Sequence, residues 1–106
     1  MTLSKFVVVV HGENCALWHP GPRRHWFYVT RYLEAPDAAG AEELALSEVR
    51  TDPRLVSGLH NPPDDPPRFS VEEVLEVDSF AGIADLTPGF YFASNGPIRA
   101  GELDDY

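Results

Sequence analysis

The segment from His25 to Ala35 (HWFYVTRYLEA) constrains this chain more than any other, because both of its alternating sets are largely apolar or aromatic. Read as a strand, it carries Trp26, Tyr28, Thr30 and Tyr32 on one face and Phe27, Val29, Arg31 and Leu33 on the other. A sheet built around it needs cover on both sides. The stretch Lys5 to His11, dense in valine and without polar alternation, reads as a second strand, buried on both faces and central in the sheet. Between the two, Gly12, Asn14, Pro20, Gly21 and Pro22 mark a loop over residues 12–24, so the simplest pairing is a hairpin with a long tip.

Pro36 stops the strand, and Asp37 is a good helix N-cap because its carboxylate can accept orphan backbone N–H groups. Ala38, Ala41, Leu44, Ala45 and Val49 then recur at helical spacing, and the small alanines predict a helix lying close against a sheet. Asp52 and Pro53 open one further short turn through Leu55 that stops at Gly58. Residues 60–68 (HNPPDDPPR) are too rich in proline for any regular element. Residues 69–78 fit two templates. Ser70 to Glu73 has the form of a helical capping box, but the valines and the short run favour a strand, with Phe69, Val71, Leu75 and Val77 on one face and a bulge near Glu73. Gly89 to Ala93 reads as a last strand, Asn95-Gly96-Pro97 as a turn, and the acidic tail from residue 101 as frayed. The order is ββαββ. It predicts a single α+β domain over residues 1–106, with a mixed or antiparallel sheet and one main helix packed on one face.

Charge narrows the partners. With 8 basic against 17 acidic residues the net charge is −9, which opposes phosphate backbones and anionic membranes and favours a basic protein partner. Neither nucleic acid nor membrane is expected. Cys15 is the only cysteine, so no intrachain disulfide forms, and the longest apolar run, Phe6 to Val10, is too short for a signal-peptide core or a membrane span. The expected location is cytoplasmic.

No motif completes a catalytic set. His11-Gly12 after an apolar strand looks like the oxyanion loop of the α/β-hydrolases, but no G-x-S-x-G elbow accompanies it and the chain is far too short for that fold. The bland reading is that His11 and Gly12 end a strand. His11, Cys15 and His19, with His25 nearby, are the weak candidates for a metal site, and their irregular spacing does not match the paired ligands of a structural zinc site. Glu72 and Glu73 point to opposite faces of a strand and cannot share a substrate; with Glu76 and Asp78 they read as outward charges. No cofactor is expected.

Trp26, Tyr28 and Tyr32 remain. One helix is about 10 Å wide whereas four strands span roughly 15–19 Å, so the helix cannot cover the sheet. The proline-rich loop, a second subunit or another partner must cover the rest, and these three aromatics are the candidate protein-binding or dimer surface.

The segments Phe27–Ala35, Arg50–Leu55, Asn61–Pro67, Val71–Phe80 and Gly89–Phe92 together resemble a group of short uncharacterised bacterial proteins. That resemblance implies a bacterial cytosolic protein and no activity. The sequence thus points to a non-catalytic protein-binding module that self-associates as a homodimer. The alternative is a small ligand-binding domain or enzyme with its site between the sheet and the proline-rich loop.

Overall fold

Valine-rich and aromatic segments prefer the pleated, half-buried surface of a strand, and two of them form the middle of this molecule. The structure, a computed structural model, describes residues 2–18 and 22–94. Strand β1 (Ser4–Trp18) pairs antiparallel with β2 (Pro22–Ala35), in a register running from Ser4 opposite Ala35 to Trp18 opposite Pro22. Helix α1 (Ala38–Arg50) follows, capped by Asp37, whose carboxylate accepts from the Gly40 amide at 2.8 Å, and then a single turn, α2 (Pro53–Val56). Strand β3 (Arg68–Val77) joins the outer side of β1 and β4 (Tyr91–Ser94) the outer side of β2. The sheet order is β3-β1-β2-β4 and every neighbouring pair is antiparallel. The expected α+β class, with one main helix on an antiparallel sheet, holds.

The expected long loop over residues 12–24 does not. β1 continues to Trp18, and the glycine and asparagine taken as loop signals have other uses. Gly12 lies opposite Phe27, and a Cβ at residue 12 would stand 2.1 Å from Phe27 Cε2, so only glycine admits the ring. Asn14 adopts φ 58°, the left-handed region, at a bulge where Glu13 and Asn14 face one residue of β2. The bulge restores Cys15 to the buried face. The far end of β1 is also paired on its other side: Leu17 bridges Leu59, and the His60 amide donates to the Ala16 carbonyl at 2.8 Å.

The core is one layer between sheet and helix. Phe6, Val8 and Val10 of β1 and Phe27, Val29 and Leu33 of β2 meet Ala41, Ala45 and Val49 of α1 and Leu55 of α2. Four sequence expectations need correction. β1 is not buried on both faces, because Val7 and Val9 point away from the helix and are only half-buried. Ala38 is exposed in the first helical turn, and Leu44, about 100° around the helix from Ala45, is 44% exposed. In β3 the strand reading and the bulge are both present: Val9 pairs with Glu73 and Val10 with Val71, so Glu72 is the extra residue. That insertion inverts the alternation. Phe69, Val71 and Val74 face the core, whereas Leu75 and Val77 lie on the opposite face. The last strand starts two residues later than expected, at Tyr91. The expected turn at Asn95–Pro97 and the acidic tail lie outside the described residues.

Gly12→Ala should therefore lower stability by about 2 kcal/mol, the cost typical of overpacking a filled core. Phe27→Leu should cost less in that background than in the wild type, which chemical denaturation of the four variants of the cycle will measure.

Candidate functional site

The register puts Val7, Val9 and His11 of β1 beside Trp26, Tyr28 and Tyr32 of β2, on the face without a helix. Leu75 of β3 and Tyr91 of β4 extend that surface to both edges and are 55% and 68% exposed. The aromatic candidates thus share one face, but they do not form one cluster. Trp26 and Tyr28 pack edge to face, with ring centroids 5.4 Å apart at 78°. Tyr32 stands two strand repeats away and receives the edge of Phe80 at 5.7 Å. Phe80 belongs to the connection from β3 to β4, which has to pass from one edge of the sheet to the other. Phe80 of this connection packs on Tyr32 at that end of the face. The proline-rich loop is spent elsewhere: Asn61 Nδ2 donates to the carbonyls of Asn14 and Asp65, and its Oδ1 accepts from the Ala16 amide.

At the opposite end the bulge in β1 opens a cleft of ≈ 280 Å³, lined by His11, Glu13, Asn14, Trp26, Tyr28 and Arg68. A bulge bends its strand and re-aims neighbouring side chains, which is why the concavity lies here. The imidazole of His11 lies 4.8 Å from the Tyr28 ring and 6.2 Å from that of Trp26, so three rings form one wall. Glu13 supplies the opposing charge. Its carboxylate is 3.7 Å from His11 Nδ1 and 3.4 Å from Arg68 Nη2. Asn14 Nδ2 donates to Asp65 Oδ1 at 2.8 Å and to the Pro66 carbonyl, and Arg24 holds the other oxygen of Asp65 at 2.7 Å. These bonds fasten the proline-rich loop to the β1 bulge and to β2, and of residues 60–68 only the last, Arg68, lines the cleft.

A second polar cluster lies on the helix side. Arg31, 5% exposed, reaches Asp52 at 2.6 Å, Glu48 at 3.5 Å and the carbonyls of Thr30 and Pro88. Asp52 also caps α2 and accepts from Arg54 at 2.8 Å. The hydrogen bond from Arg54 is the main reason its carboxyl is held below the usual 3.8, against the opposing effect of burial; the charge of Arg31 adds to the lowering. Both guanidinium groups lie over the Phe90 ring, at 5.6 and 5.5 Å. A shallow crevice of ≈ 450 Å³ adjoins the cluster, but its charges are engaged with one another. The arrangement clamps the segment before β4 onto α2. The sequence reading did not single out this cluster; an arginine among apolar neighbours in a strand, with Asp-Pro at a later helix start, is the signal that could have found it.

The described metal candidates do not converge. His11 faces the cleft, Cys15 is fully buried on the helix side of the bulge, and His19 lies outside the described residues. Among the described residues no group of three or more metal-ligand side chains comes together. His11 and Gly12 do not end a strand; they sit in the middle of β1. Burial pushes the Cys15 thiol up to about 11. Glu73 and Glu76 lie on opposite faces, opposite Val9 and Phe6, so the carboxylates of β3 do not pair. No described helix is long and apolar enough to cross a membrane. Compared with known proteins, the chain matches no family model, no curated protein and no solved structure.

Asp52→Asn, which keeps a good N-cap, should cost about 3 kcal/mol because it strips the buried Arg31 of its shortest partner. Arg31→Met should cost less, since the carboxylate keeps Arg54; denaturant melts of both variants check the order. In the wild type the stability contributed by ionised Asp52 is present above pH 3.8 and lost as the pH falls below it. For Cys15 the sign is opposite. The stability from its protonated thiol is complete below pH 9.0 and lost as the pH rises towards about 11, and a thiol reagent at neutral pH should modify it only as fast as the protein opens.

Proposed function

We propose that the protein is a non-catalytic binding module that self-associates through the helix-free face of its sheet. One observation carries this reading. Val7, Val9 and Tyr28 lie in the middle of a sheet face that no described helix covers, with Leu75 and Tyr91 more than half exposed towards its two edges. An apolar surface of that kind on a sheet marks an interaction site. A two-fold arrangement of sheet on sheet lets one patch serve both copies. The surface has few charges near its centre: Lys5 is paired with Glu34 at 3.8 Å at one end, and Glu73 stands beside Val9. The charge of −9 is therefore carried mainly by other surfaces, where it would steer a basic protein towards the dimer.

A second reading is favoured by the cleft itself. Three rings, a carboxylate and a guanidinium converge at the end of the sheet beside the β1 bulge, which the proline-rich loop braces through Asn14, and a small-ligand site requires such convergence.

Light scattering at micromolar concentration tests the first reading. The wild type should be a dimer. Leu75→Asp and Tyr91→Asp, both at exposed positions, should shift it to monomer without lowering the melting temperature of the fold by more than a few degrees. A wild-type monomer throughout that range overturns the dimer.

A further inference from the structure

We infer that the cleft at the β1 bulge holds a methylated alkylammonium group, supplied either by a free choline-like ion or by a methylated lysine side chain. The inference rests on the second reading above, that this cleft is a ligand site.

Geometry and charge carry it together. Trp26 and Tyr28 stand at 78° to each other, and the His11 ring is tilted by 38° to Tyr28, so the wall offers ring surfaces in more than one direction. Non-parallel aromatic rings around a small cavity attract a diffuse cation through their quadrupoles. At ≈ 280 Å³ the cleft is just below the roughly 300 Å³ at which pockets for whole drug-sized ligands begin, which suits a single head group. Glu13 supplies a formal negative charge at the mouth, with its side chain 51% exposed. Asn14 has committed its Nδ2 to Asp65 and Pro66, which leaves Oδ1 as its acceptor at the lining. The field of a chain with net charge −9 concentrates cations at such a site.

Arg68 is the apparent objection, and it sharpens the inference. Its guanidinium is 3.4 Å from Glu13 and its side chain is 66% exposed. A solvent-exposed pair of this kind is weak, so an incoming cation can take over the Glu13 carboxylate. An anion would find at the lining a guanidinium and an imidazole that both already face Glu13, inside a repulsive overall field. Arg68 is thus a competitor of the ligand and not its anchor.

The two signs of ligand make opposite demands on Arg68, and that decides the experiment. The full-length chain is titrated with choline, with a peptide carrying trimethyllysine, with 3,3-dimethylbutanol as the neutral isostere of choline, and with benzoate, following the NMR signals of the Trp26 indole and the His11 ring. Choline or the trimethyllysine peptide should saturate these shifts, with the neutral isostere about tenfold weaker. The tighter of the two identifies the source of the ammonium group. Glu13→Gln should weaken cation binding about threefold or more, and Arg68→Ala should strengthen it; both residues are exposed, so neither change threatens the fold. Equal binding of choline and its neutral isostere, or loss of binding in Arg68→Ala, overturns the inference. Saturation by benzoate alone overturns it while leaving the cleft as a ligand site. No response to any of the four probes removes both the inference and that reading, without bearing on the dimer.

Discussion

Phe27 is the side chain through which the sheet is assembled. Its ring occupies the space that a Cβ on Gly12 would need, so the two central strands meet there in a register with no slack. From that position the ring touches Phe69 of β3 at 6.0 Å, Phe92 of β4 at 5.5 Å and Phe90 at 5.1 Å. One aromatic therefore links both edge strands to the centre. A slip of one residue between β1 and β2 would move Phe27 to the open face and put a side chain where glycine is required. Register, core and edge pairing thus depend on the same contact.

Two bulges, one on each side of that contact, decide what the open face presents. Glu13 and Asn14 absorb an extra residue in β1, which keeps Cys15 in the core and leaves His11 and Glu13 at a concave end of the sheet. Glu72 does the same in β3 and turns Leu75 and Val77 outward. Without the second bulge, Leu75 and Val77 would face the helix and Val74 would take the place beside Val7 on the open face. The first irregularity thus shapes the cleft, and the second selects which residues of β3 the open face presents.

The charges divide by face in a way the net value conceals. On the helix side Arg31, Asp52 and Arg54 are consumed in a clamp whose partners satisfy one another, and Phe90 is held beneath the two guanidinium groups. On the open side Glu13 and Arg68 form only a long, exposed pair. The first set holds the chain together; the second can change partners.

Much of the architecture was legible from residue patterns. Valine density, the two-sided apolar strand, the Asp37 cap and the alanine stripe indicate a sheet with one helix, because these are local preferences that act over a few residues. The need for cover on the face of Trp26, Tyr28 and Tyr32 was legible too, since a helix is narrower than a sheet. The hidden parts are those in which distant residues act on one another. Gly12 and Asn14 look like loop residues until the ring of Phe27 and the partner strand are in place, and the proline-rich loop looks unattached until Asn61 finds the backbone of Asn14 and Ala16. Leu75 looks like a core residue until one extra residue in β3 inverts the alternation. Arg68 and Glu13 are far apart in the chain and meet only because β1 and β3 pair. Local propensity determined which segments are strands and helix; long-range pairing, which no short window of sequence contains, determined which side chains share a face and where the cleft lies.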